Sequence, residues 1–123
     1  MNSNSLVYEK SFRFAIDIIN LYKKLVANNK EYILSKQLLR SGTSIGANIK
    51  ESKNAQSTKD FISKLNIALK EADESIYWIE LLTETKYIEP EEGQIMCKKC
   101  VEIIKMLTSI IKTTKNNLDI KEN

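Results

Sequence analysis

Between Phe61 and Leu82, apolar and small residues return every three or four positions almost without a lapse: Phe61, Leu65, Ala68, Ala72, Ser75, Ile79, Leu82. That spacing puts all seven on one stripe of an α-helix, and such a stripe must be covered by other helices. Three further stretches repeat apolar residues in the same way. The chain therefore reads as an all-α bundle. Gly (3) and Pro (1) are scarce, which argues against sandwich, barrel and disordered architectures and for long helices. At 123 residues the chain is long enough for one shared core and too short for two, so a single domain spanning 1–123 is expected.

Local signals divide the chain into four helices, at about 5–28, 31–54, 58–85 and 90–117. The first carries Phe12, Ala15, Ile16, Ile19 and Val26 on one face and Phe14, Ile18, Leu21 and Leu25 on another, which calls for two neighbours. Asn28-Asn29 ends it, because Asn competes for the backbone and tolerates the left-handed conformation at a helix end. The second starts near Glu31 and brings small and polar residues into its seam: Leu34, Leu38, Ser41, Ile45, Asn48. Ser57-Thr58-Lys59-Asp60 has the form of a capping box, with the Ser57 hydroxyl on the amide of Asp60 and the Asp60 carboxylate reaching back. In Glu89-Pro90-Glu91-Glu92 a proline occupies the first turn, where its missing N–H does no harm, and acids face the positive helix end. Asp119 to Asn123 reads as a frayed polar tail.

Inventory excludes several chemistries. Cys97 and Cys100 have the spacing of a redox pair or half a zinc site, but the first needs a βαβ context and the second needs more Cys or His ligands. The chain contains neither a His nor a third Cys. Cys100 is instead expected in the core stripe Met96, Cys100, Ile103, Leu107, Ile110, with Cys97 beside it. A metal enzyme built on Asp73, Glu74 and Glu80 fails on the same ground, since di-metal bundles use Glu-x-x-His pairs. No catalytic residue, metal site or cofactor is expected, and the chain reads as non-enzymatic. The absence of an apolar run of roughly 20 residues excludes a membrane span, and the start Met1-Asn2-Ser3-Asn4-Ser5 lacks the regions of a signal peptide. A cytoplasmic location is the expectation.

The run from Arg40 to Ile49 is unusual for a helix because it holds two glycines, each costing about 1 kcal/mol relative to Ala. It lacks the Gly-Lys-Ser/Thr ending and preceding strand of a phosphate loop. Read as helix, Ser41, Gly42, Gly46, Ala47 and Asn48 mark a close crossing with another backbone. That crossing is either internal to the bundle or part of a subunit contact, with a polar layer around Asn48.

The stretch Leu38-Leu39-Arg40-Ser41-Gly42-Thr43-Ser44-Ile45-Gly46-Ala47-Asn48-Ile49-Lys50-Glu51-Ser52 resembles the signature, approximately R-x-S-x-S-I-x-x-N-I-A-E-G, of proteins first noticed as products of intervening sequences in bacterial 23S rRNA genes, also labelled S23-type. The run from Lys59 to Glu74, with its leading Phe61, its Leu65-x-x-Ala68 core and its acidic end, is similar to that family's second signature. Lys50 and Ser52 stand where Ala and Gly are usual, and Lys70-Glu71 replaces a commoner small pair. The resemblance covers nearly the whole chain. It implies an antiparallel up-and-down four-helix bundle that assembles into a homopentamer with a central opening. It also implies kinship with the accessory variability proteins of diversity-generating retroelements, which are thought to bind nucleic acid and a reverse transcriptase.

Charge gives a separate view of partners. The formal net charge of +3 is too small by itself to mark a nucleic-acid binder. Its distribution is uneven, with ten basic and five acidic side chains in residues 1–61 against nine and eleven in 62–123. Lys98, Lys105 and Lys112 recur at sevens along the fourth helix, while Arg13, Lys36, Arg40 and Lys50 carry the excess of the first half. A ring of subunits would multiply such patches, and phosphate contacts add in avidity. The five tyrosines do not alternate with Lys or Arg, so base stacking of the RNA recognition motif kind is not indicated. The leading expectation is an oligomeric bundle that binds structured RNA or other nucleic acid through basic surfaces. The alternative is an adaptor that docks a protein on exposed apolar faces of helices 1 and 3.

Overall fold

The computed structural model describes residues 3–122, and side chains from 5 to 119. Four helices make up the fold: α1 (Ser3–Asn29), α2 (Leu34–Ser52), α3 (Thr58–Glu84) and α4 (Pro90–Glu122). Each helix packs on the next, and α4 returns to α1. Diagonal helices are not neighbours among the described residues. Opposed contacts run in antiparallel register on every side: Gly42 against Ile18 and Gly46 against Ser11, Arg40 by Glu71 and Lys64 by Glu51, Cys100 against Ala72 and Gly93 against Thr83, Lys24 by Glu92 and Lys10 by Glu102. This is an up-and-down four-helix bundle.

The core follows the apolar periodicity. Leu65, Ala68, Ala72, Ser75, Ile79 and Leu82 of α3 are buried, as are Met96, Cys100, Ile103, Leu107 and Ile110 of α4. Complete burial of such aliphatic side chains stabilises the fold by about 1.5–3 kcal/mol each. In α1 the face that turns inward is Val7, Phe14, Ile18, Leu21 and Leu25. Of its second face, Phe12 and Ile16 stay outside, 55% and 45% exposed, while Ala15, Ile19 and Val26 are half-buried.

Helix ends depart from the sequence expectation for identifiable reasons. Helix α1 continues through Asn29, and Lys30 (φ 53°) takes the left-handed position. Helix α2 begins at Leu34 instead of Glu31, because Glu31 serves as its cap: the carboxylate accepts the amides of Ile33 (3.2 Å), Leu34 (2.9 Å) and Ser35 (2.7 Å). These are orphan donors that a helix start must satisfy. At α3 the Ser57 hydroxyl accepts the Asp60 amide at 3.0 Å, while Asp60 accepts from the amide of Gln56 and not from that of Ser57. The α3 end closes with Lys86 at φ 70°, the Tyr87 amide donating to the Leu82 carbonyl and the Lys86 amide to that of Thr83, which is the Schellman arrangement. Helix α4 extends to Glu122, so Asp119 to Glu122 is helical where a polar tail was expected; Asn123 lies outside the described residues.

Candidate nucleic-acid interface

The residues of the α2 glycine seam separate into two environments. Gly42 and Gly46 are buried against α1, where an added β-carbon on Gly42 would meet Ile18 at 2.9 Å and one on Gly46 would meet the Ser11 hydroxyl at 3.2 Å. Ser41 faces the other neighbour. It is fully buried and shares an Oγ–Oγ hydrogen bond of 3.0 Å with Ser75 of α3. Ala47 is exposed on the outer face of α2, away from that crossing. Asn48 is half-buried and donates to the carbonyl of Ser44 in its own helix at 2.8 Å, so the buried polar layer is formed by Ser41 and Ser75. A third close-approach glycine, Gly93 of α4, would place a β-carbon 2.4 Å from the Thr83 hydroxyl oxygen. Its position in the first turn of α4 gave no periodic signal.

The seven cations singled out from sequence lie on three helices and do not form one patch. Arg13 of α1 is tied to Glu9 one turn away at 3.3 Å. It borders a cleft of about 400 Å³ between α1 and α4, floored by Phe14 and Ile103. That cleft is crossed by ion pairs Lys10–Glu102 and Lys99–Asp17, both 2.8 Å. In the sequence Lys99 is only a neighbour of the Lys98 row and Lys10 belongs to no such row, so neither is a candidate site residue there. Arg40 of α2 reaches across to α3 and pairs with Glu71 (3.0 Å) and Glu74, which neutralises it. Lys36 and Lys50 share the outer face of α2 with Ala47, exposed and without an ion pair among the described residues.

Lys98, Lys105 and Lys112 stand on the outer side of α4, all exposed and likewise without an ion pair among the described residues. A seven-residue repeat drifts only about 20° around a helix, so the three ammonium groups keep to one line. At 1.5 Å rise per residue the line is about 21 Å long. Because α2 and α4 occupy opposite corners, the α2 and α4 lysines serve separate surfaces of one bundle.

The two thiols are free. Burial, with lesser contributions from Cys97 and Asp73, pushes the Cys100 thiol up to about 12, and its Sγ lies 3.2 Å from the Ala72 carbonyl. Burial and then the Glu80 carboxylate raise Cys97, which borders a cleft of about 780 Å³ at the α3–α4 hairpin. Neither is poised as a nucleophile. Among the described residues no three Cys, His, Asp or Glu side chains converge as metal ligands, and no helix is long and apolar enough to cross a membrane.

Comparison with known proteins agrees with this architecture. Residues 3–109 match the model of the 23S rRNA-intervening sequence protein family. The chain belongs to that family. A crystal structure from Bacteroides thetaiotaomicron, described as a protein with unknown function from the S23 ribosomal protein family, is 56% identical. It superimposes with a TM-score of 0.89 over 90% of this chain and 99% of that one. Among curated proteins none matches significantly. The matched span takes in α1, α2, α3 and the first part of α4, and the glycine seam of this chain lies inside it.

Proposed function

We propose that this family member is a non-enzymatic, oligomeric helical-bundle protein that binds structured RNA or another nucleic acid through repeated basic surfaces. The observation that carries the reading is the α4 row. Lys98, Lys105 and Lys112 present three uncompensated charges along one line, whereas Arg13 and Arg40 are held by carboxylates. Three charges on one bundle bind weakly. Repeated around a ring, they would act together on one polyanion, and each phosphate neutralised would release counterions.

The resemblance noted from sequence suggests a homopentamer, with a reverse transcriptase as a partner class beside RNA, and we take the cytoplasm as its place of action. Retention of a structured RNA on the purified protein at low salt, with light scattering on the same sample, tests the reading. Bound RNA and a mass several times 14.1 kDa are expected. A protein adaptor is the second reading, favoured by the exposure of Phe12, Ile16 and Tyr77; it takes over if the parent assembles but retains no RNA.

A further inference from the structure

The carboxylates of this chain are used unevenly. From Glu9 to Glu71 each one is committed, Glu9, Asp17, Glu51 and Glu71 to a cation of the bundle, Glu31 and Asp60 to backbone amides. Asp73, Glu80, Glu84 and Glu89 are exposed and make no ion pair among the described residues. Two of them stand where a helix tolerates negative charge least. Glu84 is the last residue of α3 and Glu80 lies one turn before it, against the negative end of the helix dipole, and the last turn holds no basic residue. The fold gains nothing from those two charges.

Glu80, Glu84 and Glu89 line the cleft of about 780 Å³ at the α3–α4 hairpin, which has the size of a ligand site. Among the described residues Lys86 is the one cation that lines it, and Ile88, Pro90 and Cys97 give it apolar wall. The carboxylates do not converge as metal ligands, so an extended cation fits where a metal ion does not. Asp73, Tyr77, Glu80 and Glu84 follow one another at steps of four, three and four and share one side of α3. The Tyr77 ring, 57% exposed, therefore stands in the acidic line next to Glu80. A guanidinium plane stacks on such a ring while pairing with neighbouring carboxylates, and an aliphatic polyamine has no plane to stack.

We propose that the α3–α4 cleft docks an arginine-bearing segment of a partner protein, its basic side chains on Glu80, Glu84 and Glu89 and an intervening apolar side chain on Ile88 and Pro90. Charge complementarity selects this occupant, since a nucleic acid or an acidic segment would meet carboxylates that nothing compensates. The site goes beyond the nucleic-acid reading and depends on neither the α4 row nor an assembly.

Fluorescence anisotropy of a labelled peptide alternating arginine and leucine, with the full chain, tests the assignment. The parent should bind it at about 50 mM salt, and Glu80→Gln/Glu84→Gln/Glu89→Gln should bind about tenfold more weakly. Glu51→Gln/Glu102→Gln/Asp119→Asn makes the same change of net charge at exposed carboxylates elsewhere and should alter affinity less than about twofold. Circular dichroism equal to the parent's checks that both variants fold. Cys97 reports from the cleft itself: bound peptide should slow its alkylation by iodoacetamide several-fold in the parent and leave it unchanged in the cleft variant. Tyr77→Ala should remove the parent's preference for the arginine peptide over its lysine counterpart. The Lys98→Gln/Lys105→Gln/Lys112→Gln variant should still bind the peptide, which tells failure of this proposal from failure of the RNA reading. No peptide bound by the parent, equal losses in the cleft and control variants, or spermine shielding Cys97 where the peptide does not would overturn the proposal.

Discussion

Gly42 and Ile18 meet so closely that no side chain fits between them: a β-carbon at Gly42 would sit 2.9 Å from Cγ1 and 3.0 Å from Cγ2 of Ile18. Ile18 is fully buried and cannot swing aside, so α1 and α2 are held together by the absence of atoms at this point.

Substitution at the crossing separates packing from helix propensity. Ala in place of Gly gains about 1 kcal/mol of propensity, while overpacking a filled site costs about 1–3 kcal/mol. Gly42→Ala should therefore lose stability in urea titration, and Gly42→Leu should lose more. Gly46→Ala should be close to neutral, because its nearest neighbour is the Ser11 hydroxyl at 3.2 Å, yet Gly46→Leu should still destabilise. A Gly42→Leu protein that melts above the parent and keeps its assembly would contradict the tight crossing.

Glu31 gives a pH-dependent prediction. Burial alone would raise its carboxyl, but hydrogen bonds from the amides of Ser35, Leu34 and Ile33 outweigh that and hold it below 4.5. A depressed folded-state value contributes stability above the unfolded value and loses it as pH falls through the folded one. The parent should thus lose stability below about pH 4.5. Glu31→Ala should cost about 1–2 kcal/mol at pH 7, in the range of other lost helix caps. The parent and variant curves should converge in acid. Parallel curves from pH 7 to pH 3 would show that the cap does not act through its charge.

The cysteines predict the opposite dependence. With Cys100 pushed up to about 12 against 9.0 for an ordinary thiol, the unfolded chain ionises first, so stability should fall as pH rises above about 9. In the folded protein at pH 8, iodoacetamide should leave Cys100 unmodified and react slowly with Cys97, while denaturation should expose both. Prompt native labelling of Cys100 would mean that the α3–α4 seam opens.

The legibility of this chain in its sequence divides along physical lines. The stripes of α3 and α4, the Ser57 cap and the Pro90 start were readable because each is fixed by residues a few positions apart. The sequence reading starts the second helix near Glu31, and only the turn after Lys30 puts the Glu31 carboxylate on the amides of Ile33, Leu34 and Ser35. In α1 the two apolar faces could be seen, but which one turned inward depended on where α2 and α4 dock. The seam residues Ala47 and Asn48 were grouped with Gly42 by proximity in sequence, though at about 100° per residue they project elsewhere. The cations were hardest to read. Arg40 looked free until α3 brought Glu71 and Glu74 beside it.

Replacement of the ion-paired arginines should matter little for RNA. Arg13→Gln and Arg40→Gln exchange guanidinium groups that already face carboxylates, so RNA affinity measured by fluorescence anisotropy should change less than twofold. A tenfold loss in either would move the surface from α4 to that arginine.

The central claim is charge-driven binding by the α4 row, and the direct measurement is RNA affinity against salt for the parent and for Lys98→Gln/Lys105→Gln/Lys112→Gln. Gln is nearly as good a helix former as Lys, so the variant should fold and assemble like the parent. The parent's affinity should fall steeply between about 50 and 200 mM salt, and the variant should bind more weakly with a slope shallower by about 2–3 in log–log form for each protomer whose row meets the RNA, as loss of three phosphate contacts per protomer requires. An identical slope in parent and variant, or no RNA bound by the parent at 50 mM salt, would contradict it.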